Sequence, residues 1–180
     1  MRPAPKRADI PNARALTLPP RFLRWFEARK WTPHPHQLAV LDARSAAVLL
    51  VAPTGGGKTL AGFLPSLVEL SQDDAPPAGL HTVYVSPLRA LAVDVRRNLE
   101  IPVGEMGLPI RIEVRTGDTP ASRRARQRHN PPHILLTTPE SLALLLSYDD
   151  SARLFGGLAR IIVDEAHALA GTKRGDLLAL

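Results

Sequence analysis

Residues 52–59 read Ala-Pro-Thr-Gly-Gly-Gly-Lys-Thr and follow directly on an apolar run at 47–51. Consecutive glycines let a backbone curl until its N–H groups point into one concavity, a ready site for phosphate oxygens. A helix opening on Lys58-Thr59 adds the positive end of its dipole to the same place. Lys58 then reaches the β- and γ-phosphates of a nucleotide, and Thr59 offers a hydroxyl to Mg²⁺. The candidate nucleotide-binding residues here are therefore Thr54, Gly55, Gly56, Gly57, Lys58 and Thr59. A cradle between a strand and a helix belongs to α/β architecture, and the rest of the chain has to be compatible with that.

It is. Short apolar runs predict a buried strand at 47–51 and further strands at 82–86, 110–114, 133–137 and 160–164. In the third, Ile110, Ile112 and Val114 alternate with Arg111, Glu113 and Arg115, the pattern of a half-buried strand. Helical spacing separates the strands. Leu88, Leu91, Ala92, Val95 and Leu99 share one face. Thr119-Pro120 and Thr138-Pro139 each combine a hydroxyl N-cap with a proline at a position that needs no amide donor. An amphipathic helix carrying Phe22, Leu23 and Phe26 follows Leu18-Pro19-Pro20. Strands alternating with helices predict a mostly parallel sheet covered on both faces. Residues 72–79 read as a solvated loop, and residues 1–17 as a flexible tail before one domain spanning 18–180.

A second motif matches the first. The run Ile161-Ile162-Val163 delivers Asp164-Glu165-Ala166-His167 at the carboxyl end of a strand, where open α/β sheets place their ligands. One carboxylate can hold Mg²⁺ while its neighbour polarises an attacking water.

Composition narrows the partners. The 180 residues carry a net charge of +6, with an isoelectric point near 10.5. That favours polyanions such as nucleic acid, and equally fits a surface merely decorated with arginine. Arg123, Arg124, Arg126 and Arg128 crowd one short segment, either lining a nucleic-acid track or forming a solvated basic helix. There is no cysteine, which excludes disulfides and thiolate chemistry. No apolar run is long enough to span a bilayer, and no signal-peptide stretch opens the chain; a cytoplasmic protein is expected.

The order Ala-x-x-Gly-x-Gly-Lys-Thr then Asp-Glu-Ala-His resembles the superfamily 2 helicases. Further segments agree in order. Pro35-His36-Gln37 is similar to the family's adenine-reading glutamine motif. Pro87 and Arg89 lie in a segment like motif Ia, and Thr116-Gly117-Asp118 is similar to motif Ib. Thr138-Pro139-Glu140-Ser141 resembles the motif that grips a strand backbone. Residues 90–94, 115–120 and 171–175 resemble the large helicase-related family, and within it the bacterial ligase-associated DEXH-box helicases.

The resemblance implies a RecA-like ATP-binding lobe acting with ATP and Mg²⁺ on single-stranded nucleic acid, with DNA the expected substrate. It assigns Gln37 to adenine, Lys58 and Thr59 to phosphate and metal, and Asp164 to Mg²⁺. Glu165 is the expected base, and His167 the expected coupling between nucleotide and nucleic acid. Pro87, Arg89, Thr116, Gly117, Thr138, Pro139 and Glu140 are the expected strand contacts. A DNA ligase and a nuclease are implied partners. The family's lobe also has a further strand between the loop strand and the Asp-Glu strand, then a second lobe supplying arginines. The chain is accordingly expected to be one part of a longer helicase, the alternative being a non-catalytic nucleotide-binding remnant.

Overall fold

A computed structural model describes residues 18–53, 55–72 and 76–179. The expected tail, Thr54 and part of the loop at 72–79 lie outside them. Nine helices and four strands are described, in the order α1 (Pro20–Ala28), α2 (Pro35–Asp42), α3 (Lys58–Glu69), β1 (Thr82–Val85), α4 (Arg89–Glu105), β2 (Ile112–Arg115), α5 (Ala121–His129), β3 (Ile134–Thr137), α6 (Pro139–Leu146), α7 (Ser151–Phe155), β4 (Arg160–Val163), α8 (Ala166–Leu169) and α9 (Lys173–Ala179). The strands form one parallel sheet in the order β2-β3-β1-β4.

Period-two alternation divides the core into two layers. Tyr84, Ile112, Ile134 and Leu136 face α1, α3 and α4, packing with Phe22, Phe63, Leu67 and Leu99. Val83, Val85 and Leu135 face the other way, against Leu142, Leu145 and Leu154 of α6 and α7. A parallel sheet covered on both faces is the expected architecture.

Helix α3 fixes the direction of the layer that matters most. Arg160, at the start of β4, bonds Ser66 and Glu69. Ile162, two residues on, lies 3.4 Å from where a Cβ on Gly62 would sit. Thr82 bonds Ser66, and Tyr84 meets Phe63 with ring centroids 5.4 Å apart. The helix thus runs antiparallel to β1 and β4, and its first residues, Lys58 and Thr59, lie toward the carboxyl ends of the strands.

Three expectations are corrected. Residues 47–51 do not form a strand; Leu49 and Val51 are each 85% exposed. The segment shares no backbone hydrogen bond with 161–163, consistent with a separation between the two. A parallel strand is held by its neighbours, and no neighbour for this one occurs among the described residues. The outer edge of β4 is likewise unpaired there, and Ile161 and Val163, on the face that α6 and α7 cover at β1 and β3, are exposed. Second, Arg115 is buried. Its face of β2 meets α5 instead of water: Glu113 accepts hydrogen bonds from Arg126 and Gln127, and Arg115 Nη1 donates to the Arg124 carbonyl at 2.8 Å. Third, Thr119 does not cap α5, whose N-cap is Pro120; its hydroxyl accepts from the Thr116 amide at 2.9 Å instead. Thr138 does stand at the N-cap of α6 with proline after it, but makes no side-chain cap bond.

An unpaired apolar strand edge is a template for further strands. The chain purified at this length is expected to self-associate with rising concentration, and Ile161→Lys to suppress that association while changing stability by no more than about 0.5 kcal/mol. Light scattering over a concentration series, with thermal melts of both proteins, checks this; a wild-type chain that stays monomeric throughout contradicts it.

Candidate nucleotide and nucleic-acid sites

The strand register aligns the chemistry. Val85 pairs with both Thr137 and Val163, and Thr137 pairs with Arg115. The next residues of the four strands, Thr116, Thr138, Ser86 and Asp164, therefore stand in one row along the carboxyl edge of the sheet. Neighbouring strands are about 4.8 Å apart, so the row spans about 14 Å. Its β4 end carries the Asp-Glu pair and lies beneath the start of α3. The other three positions carry the segments expected to contact nucleic acid.

At the nucleotide end, Gly55 and Gly57 take φ values of 78° and 72°, in the left-handed region where side chains are strained. Gly57 is the N-cap of α3. Lys58 Nζ donates to the carbonyls of Ala52 (2.7 Å) and Pro53 (3.1 Å), so the ammonium sits inside the loop. Gln37 is only 3% exposed. Its Oε1 accepts from the His34 amide at 2.8 Å and its Nε2 donates to the Gly57 carbonyl at 3.3 Å. Gln37 thus ties α2 to the loop, with one amide hydrogen and one lone pair left over.

Asp164 is half-buried. Its Oδ1 accepts from the Glu165 amide at 2.9 Å and its Oδ2 from the Tyr84 hydroxyl at 2.6 Å. Burial, then the hydrogen bond to Asp164, push the Tyr84 phenol well above its ordinary pKa, so Tyr84 is the proton donor of this pair. Glu165 takes a left-handed conformation, φ 50°, rare for a non-glycine residue. It is held 3.4 Å from His167 Nδ1, and His167 is otherwise exposed. Thr59 and Asp164 offer hard oxygen donors, the set Mg²⁺ takes together with nucleotide phosphates; the loop, its lysine and these two groups fit an Mg²⁺-nucleotide.

Along the rest of the row, most expected contacts already have protein partners. Arg89 Nη1 donates to both carboxylate oxygens of Asp118, at 2.8 and 2.9 Å, and lies over Gly117, where a Cβ would come within 3.0 Å of its Nη2. Glu140 is paired with Arg174 of α9, whose hydrogen bond holds the carboxyl below its ordinary pKa. Thr116, Thr138, Pro87 and Pro139 are buried. Of the arginines on α5, Arg126 pairs with Glu113 and Arg128 with Asp150, while Arg123 is exposed.

Sequence reasoning passed over Tyr84 and the ion pairs that Asp118 and Arg174 make. Tyr84 had a signal: it is the sole aromatic residue in the four described strands. The others are seen only through contacts between distant segments. A hollow of about 570 Å³ between α1 and the end of α4, lined by Arg21, Trp25 and Glu105 among others, is built from none of the expected site residues. No helix among the described residues is long and apolar enough to cross a membrane.

Gly57→Ala is expected to destabilise the chain by about 1–2 kcal/mol from the left-handed backbone alone. The new Cβ would lie 2.7 Å from Gln37 Nε2, breaking the tie between α2 and the loop. Thermal melting together with binding of a fluorescent ATP analogue checks this; wild-type values in both would contradict it.

The family model for the DEAD/DEAH box helicase matches residues 34–180. The chain is 43% identical over 155 residues to the Lhr helicase/uracil glycosylase of Escherichia coli, covering 77% of this chain and 10% of that protein. It is 44% identical over 169 residues to the Lhr helicase/probable uracil glycosylase of Mycolicibacterium smegmatis, covering 87% of this chain and 11% of that protein. The chain thus spans about a tenth of the length of these curated relatives. The solved structure of Mycobacterium smegmatis helicase Lhr bound to ssDNA and AMP-PNP superposes with a TM-score of 0.78 at 42% identity, over 90% of this chain and 22% of that one.

Proposed function

The chain belongs to the DEAD/DEAH box helicase family, and we propose that it is the ATP-binding lobe of a longer helicase that hydrolyses ATP to move along single-stranded DNA. The observation that carries this reading is the row at the sheet's carboxyl edge. The row carries Asp164-Glu165 at its β4 end, beneath the start of α3, and the segments that follow β1, β3 and β2 at its other three positions. The similar helicase Lhr, solved with ssDNA and AMP-PNP, supports the choice of ligands.

In this reading Gln37 uses its remaining amide hydrogen and lone pair on the adenine edge. Lys58 exchanges its loop carbonyls for the β- and γ-phosphates, which the glycine loop surrounds with N–H groups. Thr59 and Asp164 would hold Mg²⁺, which when bound supplies charge neutralisation to the phosphates. Glu165 accepts the proton of the attacking water. His167, within reach of Glu165, links the base to the DNA side. On that side Arg89, Thr116, Gly117, Thr138, Pro139 and Glu140, with Pro87, present backbone and side-chain groups to phosphates, a mode that reads no sequence. Arg89 must leave Asp118 to do so. A ligase and a nuclease as partners rest on the motif resemblance alone. The exposed segment 47–51 favours a second reading for the chain in isolation, a nucleotide-binding remnant without turnover.

Two substitutions in the full helicase separate these roles. Lys58→Ala should abolish DNA-stimulated ATP hydrolysis and weaken nucleotide binding, because it removes the charge facing the phosphates. Glu165→Gln should keep nucleotide bound while hydrolysis falls by a factor of about 100 or more. Steady-state ATPase rates with and without single-stranded DNA, beside fluorescent-nucleotide binding, give the answer. Hydrolysis near wild type in Lys58→Ala removes the loop from the mechanism, and parallel loss of binding and rate in Glu165→Gln removes Glu165 as base.

A further inference from the structure

The contact between Tyr84 and Asp164 joins residues 80 positions apart, and the reading above gives Tyr84 no role. Tyr84 lies on β1, in register with Ile162, and Asp164 is two residues farther along β4. Two residues of extended strand advance about 6.6 Å, roughly the reach of a tyrosine side chain laid along the sheet. The ring is 1% exposed and is packed against Phe63, on the helix that begins with Lys58 and Thr59. Its position is therefore set by the core, and its hydroxyl is delivered to one oxygen of a half-buried carboxylate. The Glu165 amide fixes the other oxygen. Two donors on two different oxygens determine the plane of the carboxylate and leave its remaining lone pairs directed away from both.

We propose that Tyr84 is a positioning residue for the nucleotide site: its hydroxyl holds the Asp164 carboxylate in the orientation that receives Mg²⁺-nucleotide. The proposal rests on the reading of Asp164 as the Mg²⁺ carboxylate. Tyr84 touches neither metal nor nucleotide and acts through Asp164. Because Phe63 lies beneath the same ring, the orientation of the carboxylate is referenced to the helix that carries the phosphate loop, so both halves of the site share one core contact. A phenylalanine at 84 would keep the ring and its packing while removing the hydroxyl that bonds Asp164 Oδ2.

The experiment is a Mg²⁺ titration of the binding of a fluorescent, non-hydrolysable ATP analogue, made on the full helicase and its Tyr84→Phe, Asp164→Asn and doubly substituted forms. Removing a hydrogen-bond partner of a metal-binding carboxylate typically costs about 10-fold or more in metal affinity. Tyr84→Phe is therefore expected to raise the Mg²⁺ concentration for half-maximal binding about 10-fold. Binding measured in EDTA and the melting temperature should stay at wild-type values. In the Asp164→Asn background, Tyr84→Phe should add nothing, since the group it acts through is gone. The inference is overturned by an unchanged Mg²⁺ titration in Tyr84→Phe. It is also overturned by equal losses with and without Mg²⁺ alongside a lowered melting temperature, which mark a packing role, or by an undiminished effect in the Asp164→Asn background. A wild-type helicase whose nucleotide binding ignores Mg²⁺ would instead overturn the reading of Asp164, and this inference with it.

Discussion

The parallel register of the sheet is the constraint on which everything else depends. Val85 stands opposite Thr137 and Val163, and Thr137 opposite Arg115, so four strands end together. Each strand then hands the chain to a segment rich in polar groups: Thr116-Gly117-Asp118, Thr138-Pro139-Glu140, Ser86-Pro87 and Asp164-Glu165. A slip of one residue in any pairing would turn its inward residues outward. It would also move that segment out of the row by a strand residue's length.

Helix α3 supplies the second half of the arrangement. It is anchored at its far end by Arg160 to Ser66 and Glu69 and at its middle by Phe63 against Tyr84. A helix pinned at those points and running against the strands brings Lys58 and Thr59 to the Asp164 edge without any contact made by the loop itself. The loop is then tied down from the other side by Gln37, through the Gly57 carbonyl. Core packing and one buried amide thus place a site whose own residues are mostly polar and half-exposed. The nucleic-acid end is built differently, with ion pairs at 89–118 and 140–174 that lie at the surface and are weak enough to exchange.

Much of this was legible in the sequence, for local reasons. The apolar runs at 82–86, 133–137 and 160–164, the glycines before Lys58, and Thr138-Pro139 all act within a few residues of themselves. The strand expected at 47–51 had the right composition but, among the described residues, not the neighbour a parallel strand requires, and Val51 is exposed instead of buried. Alternation misplaced Arg115 because the outward face of β2 is covered by α5, a fact of tertiary packing. Gln37 was legible as a residue of interest through resemblance, but not its bond to Gly57, 20 residues away. The Tyr84–Asp164 bond joins two strands that are neighbours only because β4 adds to β1 across 80 residues of chain, and no local pattern announces that.

Nucleotide belongs at the β4 end of the row, and DNA at the carboxyl ends of β1, β3 and β2. Photo-crosslinking of the full helicase with an azido-adenine nucleotide and, separately, with single-stranded DNA carrying photoreactive bases, followed by peptide mapping, distinguishes the two ends. Nucleotide labels are expected in the peptides around Gln37 and Lys58, and DNA labels around Arg89, Gly117 and Glu140. DNA labels confined to the opposite edge of the sheet, around His81, Arg111 and Arg160, or nucleotide labels away from Gln37 and the loop, would contradict this placement.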